Sequence, residues 1–146
     1  MDKQSKITIV TLNVNGLNND GKKSAVFQNL STMKPSIIGL TDTRLSDENQ
    51  ELFTRDHPDY NIYYSNVKPQ PPTPSKGVIV MISRKADIKI LSNTASDDGM
   101  SIILETIMEG VPILLTVAYG PSDTKKDKQN VQWWKDLKAK IDSYGL

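Results

Sequence analysis

The chain has 146 residues, 37% hydrophobic and 24% charged, a size and composition that suit a single α/β domain over positions 1–146 with a modest core. It contains no cysteine, which excludes disulfides and thiolate metal sites and leaves oxygen ligands for any bound metal. Eighteen basic residues against seventeen acidic leave a net charge of +1, without the basic excess of a dedicated nucleic-acid grip.

In chain order, Ile7 to Val14 is apolar on both parities and β-branched, as expected of a strand buried on both faces. Asn18-Asn19-Asp20-Gly21 is a turn cluster, after which Val26, Phe27, Leu30 and Met33 share a helical face that ends before Pro35. Ser36 to Leu40 is a short apolar run leading into Thr41-Asp42-Thr43-Arg44, so strand, helix and strand fit a right-handed parallel crossover. Tyr60 to Ser65 is aromatic and β-prone. The proline-rich stretch 68–75 cannot supply ladder donors at its prolines and reads as an internal loop.

Gly77 to Ser83 and Asp87 to Leu91 read as strands joined by Arg84-Lys85-Ala86, and Ser101 to Met108 and Pro112 to Tyr119 as a hairpin about Glu109-Gly110. The closing region, 122–146, carries Val131, Trp134, Leu137 and Ile141 on one helical face, opposite Lys135, Lys138 and Lys140. The expected sheet is mixed, with about six strands and its helices on one face. Lys125, Lys126 and Lys128 alternate with Asp123 and Asp127, the pattern of a solvated helix start.

No apolar run approaches the ~20 residues of a membrane-spanning helix, and Met1-Asp2-Lys3-Gln4 opens polar. The expectation is a soluble intracellular protein, nuclear or cytoplasmic, with no membrane partner.

Two polar clusters stand out. Asn13 and Asn15 have the same parity at the carboxyl end of the first strand, and Asp42 ends the second. Parallel strands would gather them at the carboxyl edge of the sheet, where open α/β folds keep their ligands. The other reading is structural: Asn13-Val14-Asn15-Gly16 is a strand-ending turn and Asp42 a cap. Tyr119 ends a strand, where a tyrosine commonly packs its ring and leaves its hydroxyl at the surface. His57, the only histidine, precedes Pro58 and reads as a solvated loop residue. Trp134 belongs with the packed stripe of the last helix, and Trp133 is open between packing and base stacking.

Thr11-Leu12-Asn13-Val14-Asn15-Gly16-Leu17-Asn18 resembles the opening motif of LINE-type retrotransposon endonucleases, relatives of the apurinic/apyrimidinic endonucleases and deoxyribonuclease I in the endonuclease/exonuclease/phosphatase superfamily. Pro35 to Leu45 and Ile113 to Pro121 are similar to later segments of that family in the right order, and Lys76-Gly77-Val78-Ile79-Val80 resembles its glycine-led strand. The resemblance implies a deoxyribonuclease I-like four-layer α/β sandwich, of which this chain would supply the N-terminal half. It also implies phosphodiester hydrolysis of DNA with Mg2+ or Mn2+, with Asn13 orienting catalytic groups, a metal carboxylate at position 42, Asn15 as a further metal candidate and Tyr119 near the scissile phosphate.

Two departures qualify that transfer. The family has glutamate where this chain has the shorter Asp42, and nothing after Tyr119 resembles its later Asp-x-Asn and Ser-Asp-His motifs, which supply the acid/base groups. The expectation is a truncated nuclease domain, inactive alone, whose bare inner sheet face would seek a homodimer or a complementary half. The alternatives are a non-catalytic module binding nucleic acid or protein, and one half of a split nuclease.

Overall fold

In the computed structural model, which describes residues 6–121 and 127–145, seven strands form two sheets. The first has the order β1-β2-β4-β3, with β1 at Ile9–Asn13, β2 at Ile37–Thr41, β3 at Tyr60–Ser65 and β4 at Val78–Ser83. The second has the order β5-β6-β7, with β5 at Ile88–Ala95, β6 at Ser101–Met108 and β7 at Val111–Ala118. The α/β sandwich is as expected, but the strands divide into sheets of four and three instead of one sheet of about six. The division falls at residues 84–87, where β4 leaves one sheet and β5 enters the other.

β1 and β2 pair in parallel around helix α1, Asp20–Met33, which fulfils the crossover read from the sequence. Asn19 caps α1 by accepting from the Lys22 amide, and left-handed Lys34 ends it before Pro35. A second helix, α2 at Asp47–Asp56, was not read from the sequence. Its signals are short: Ser46 caps it by accepting from the Asn49 amide, and Asp47 and Glu48 fill the first turn.

Alternation along the strands builds two cores. Ile38, Leu40, Ile79 and Met81 face α1 and α2, where Leu30 and Phe53 meet them. Ile37, Val78, Val80 and Ile82 face the other way, onto Ile102, Leu104 and Val117 of the second sheet. Each such side chain contributes roughly 1.5–3 kcal/mol by leaving water. The inner face expected to lie bare is therefore covered, since Val78 and Val80 are 0% exposed. At Gly39 the missing side chain admits Val117, whose methyl carbons would stand 3.2 Å from a Cβ there.

Helix α3, Asp127–Asp142, is tied to the outer side of the second sheet through Tyr144, whose hydroxyl lies 2.9 Å from Thr94 Oγ1. Helices thus stand on both outer faces instead of one. Lys125 and Lys126 fall outside the described residues, so the charge reading of that stretch is not addressed. No described helix is long and apolar enough to cross a membrane.

Against expectation, β1 is not buried on both faces. It is apolar on both parities, yet Ile9 is 54% and Leu12 39% exposed, because β1 is an edge strand beyond β2, the strand over which β7 sits.

Candidate functional site

The sheet topology brings four loops to one end of the sandwich: those after β1 and β2, that before β4 and that before β6. They are sewn together by main-chain bonds. The Gly16 and Leu17 amides donate to Asp42 and Thr43, the Thr43 and Arg44 amides to Gly77 and Lys76, and the Gly77 amide to Gly99. Asn15, Asp42, Arg44 and Lys76 all take left-handed backbone here, with φ of 49°, 58°, 53° and 58°. Such residues persist only where the surroundings over-determine them, at a cost of order 1–3 kcal/mol each. Gly77, at φ 108°, is obligatory: a Cβ there would collide with the Thr43 hydroxyl, which is buried and has no hydrogen-bond partner among the described residues.

Asp42 is buried, and both its oxygens are engaged. Arg44 Nε donates to Oδ1 and Nη2 to Oδ2, each at 2.8 Å, a bidentate fork. The hydrogen bonds and then the charge of Asp42 push the Arg44 guanidinium further above its ordinary range. Arg44 is not among the sequence candidates, although it stands two residues from the carboxylate.

The other sequence candidates separate. Asn13 ends β1, and its side-chain oxygen accepts from the Asn15 amide at 3.1 Å, as in a strand-ending turn. Asn15 does not continue the strand, so the shared-parity expectation fails there; its carbonyl accepts from Lys22 Nζ at 2.9 Å. Tyr119 follows β7 and donates its amide to Met100 at 2.7 Å.

Two cavities adjoin at Arg44. One, of about 520 Å³, is lined by Asn15, Lys22 and Arg44, and the other, of about 760 Å³, by Asp42, Arg44, Lys76, Tyr119 and Trp133. Asn15, Asp42 and Tyr119 thus share this rim, while Asn13 lines neither cavity. Thr73 and Pro74 of the proline-rich loop line both, so that loop is a wall of the site. Gln70 pins it by accepting from the Asp47 amide at 2.8 Å. Sequence reasoning also missed Lys22, Lys76 and the placement of the tryptophans. Trp133 faces the larger cavity, its indole N–H donating to Asp98 at 3.1 Å, while Trp134, 48% exposed, lies against Gly120.

His57 is elsewhere and is not the solvated residue expected. Its ring lies 4.4 Å from that of Phe27 and 4.6 Å from that of Phe53.

A divalent cation does not fit these donors. Among the described residues no three His, Cys, Asp or Glu side chains gather where they could hold a metal, and both oxygens of Asp42 already accept from Arg44. Mg2+ requires near-octahedral oxygen ligands at ~2.1 Å.

No protein-family model matches the sequence. Solved structures do. D. rerio TDP2 complexed with single strand DNA product is similar at TM-score 0.73 and 16% identity, over 95% of this chain and 56% of that one. An AP endonuclease from Archaeoglobus fulgidus gives 0.59 and 18%, over 90% of this chain and 49% of that one. An endonuclease/exonuclease/phosphatase family protein from Leptotrichia buccalis gives 0.53 and 15%, over 87% and 62%. These likenesses show the fold: the chain has the deoxyribonuclease I-like α/β sandwich and spans 49% to 62% of the length of these structures.

Proposed function

We propose that the chain is part of an endonuclease/exonuclease/phosphatase-type domain of the retroelement-endonuclease kind, that its rim of loops engages a DNA phosphodiester, and that these 146 residues do not hydrolyse DNA alone. The observation that carries this reading is the convergence of Asn15, Asp42, Arg44 and Tyr119 on two adjoining cavities at the carboxyl edge of the parallel pair. The structure of D. rerio TDP2, of the same fold, contains a single strand DNA product, which supports nucleic acid as the ligand.

In this reading Arg44 and Tyr119 face the phosphate, and Asn13 and Asn15 hold the first loop in shape. Trp133 offers a ring against which an unstacked base can lie. Hydrolysis needs a base to activate water and a group to protonate the leaving oxygen. Asp42 is neutralised by Arg44, and the only histidine, His57, is not among the residues lining either cavity. Supplying those groups would fall to a complementary half or a second copy.

The test is nicking of supercoiled plasmid by the purified chain with Mg2+ or Mn2+. No nicking above buffer is expected. Nicking that Asp42→Ala or Asn13→Ala abolishes overturns the claim of inactivity. Activity that appears only on mixing with a second polypeptide supports the split reading.

A further inference from the structure

The pairing of Asp42 with Arg44 is more than a surface ion pair. Asp42 and Arg44 both hold left-handed backbone, so the two side chains emerge two residues apart and meet. The main chain is fastened on both sides. The Asp42 carbonyl accepts from Gly16 at 2.7 Å, the Arg44 amide donates to Lys76 at 2.7 Å, and Asn18 Nδ2 donates to the Arg44 carbonyl at 2.7 Å. The Asp42 side chain is 8% exposed and that of Arg44 44%, so the carboxylate lies beneath and the guanidinium stands at the cavity wall.

A guanidinium has five N–H groups, and two are spent on Asp42. Among the described residues the other three have no protein acceptor, which leaves them for a ligand in the cavities that Arg44 lines. Lys22, held at the Asn15 carbonyl, lines one of those cavities and Lys76 the other. With Asp42 neutralised, the rim presents cations toward both spaces, although the whole chain carries only +1.

We propose that Arg44 occupies the place on Asp42 that a divalent cation would otherwise take, and that the rim captures a phosphodiester oxyanion without metal. The proposal rests on the reading of this rim as a phosphodiester site. Planar guanidinium matches phosphate as it matches carboxylate, bridging the two through its adjacent Nε/Nη2 and Nη1/Nη2 edges.

The experiment uses the full 146-residue chain, with a labelled single-stranded deoxyoligonucleotide followed by anisotropy and Mn2+ followed by electron paramagnetic resonance. Wild type is expected to bind the oligonucleotide equally in EDTA and in Mg2+, to weaken with added salt, and to leave Mn2+ free. Arg44→Gln is expected to weaken oligonucleotide binding at least tenfold and to tighten Mn2+ binding at least tenfold, the latter lost again on adding Asp42→Asn. Arg44→Lys, which keeps the charge but cannot span both oxygens, is expected to retain part of the oligonucleotide affinity. Mn2+ bound by wild type and released by Asp42→Asn overturns the proposal. So does oligonucleotide binding that Arg44→Gln leaves unchanged in a protein that still unfolds cooperatively. Oligonucleotide bound only with Mn2+ overturns it while leaving the phosphodiester reading standing, and no binding under any condition overturns both.

Discussion

The sandwich has two ends, and each carries a cavity of similar size: about 760 Å³ at the rim holding Asp42 and Tyr119, and about 740 Å³ at the opposite end, between Phe27, Pro35, His57, Tyr60 and Glu109. Volume does not distinguish them. Backbone does. At the opposite end, left-handed residues occur where ordinary turn chemistry asks for them: Lys34 closes a helix, and Glu109 with Gly110 makes a two-residue hairpin turn. At the rim, four non-glycine residues in three different loops are left-handed together, with a part-buried ion pair at their centre. Strain concentrated across several loops, not the size of the hollow, distinguishes the rim from the opposite end.

Three measurements can break or sharpen that contrast. The largest expected effect is a paired glycine substitution. Gly77→Ala adds a collision with Thr43 to backbone strain and should cost about 2–4 kcal/mol in urea denaturation. Gly110→Ala meets nothing within 4 Å and should cost only the strain, about 1 kcal/mol. Equal costs would mean that the rim is no more constrained than an ordinary turn.

The second concerns pH. Burial lowers His57 from its ordinary 6.5, against the opposing pull of Asp56 and with a smaller push the same way from Lys23. The unfolded chain therefore binds more protons than the folded one in the window below about 6.5, and stability falls as pH drops through that window. His57→Leu should flatten the dependence of the urea midpoint there, which would assign this end a packing role; an unchanged slope would deny it. The smallest effect is Glu109→Asn. Asparagine tolerates the left-handed first position of this hairpin turn better than glutamate does, so a gain of roughly 0.5–1 kcal/mol is expected, seen as a higher melting temperature.

Strands and crossover were legible in the sequence because alternation and β-branched runs are local signals: Tyr60–Ser65 and Ser101–Met108 have the expected bounds. Membership of a sheet is not local. Nothing in Arg84-Lys85-Ala86 announces that β5 joins a different sheet from β4. Helix α2 escaped because, among its apolar residues, only Phe53 is fully buried. At the rim, Asp42 was singled out by its place at the end of the second strand and by its motif, and Tyr119 by its motif. Asn15 was placed by strand parity, which ceases once the backbone turns left-handed. Arg44 was passed over because an ion pair between residues two apart requires the φ of 58° and 53° that no composition rule supplies.

Gly39 has a consequence for the rim although it lies inside the core. Because β2 has no side chain there, Val117 descends onto the strand, and Tyr119 follows two residues later on the same face, three residues along from Gly39 to Asp42. Position 39 therefore works as a spacing gauge between the sheets. A methyl group placed there would stand 3.2 Å from both Val117 methyl carbons, so Val117 would have to give by a few tenths of an ångström, and the strand that leads to Tyr119 would feel it with no rim residue changed.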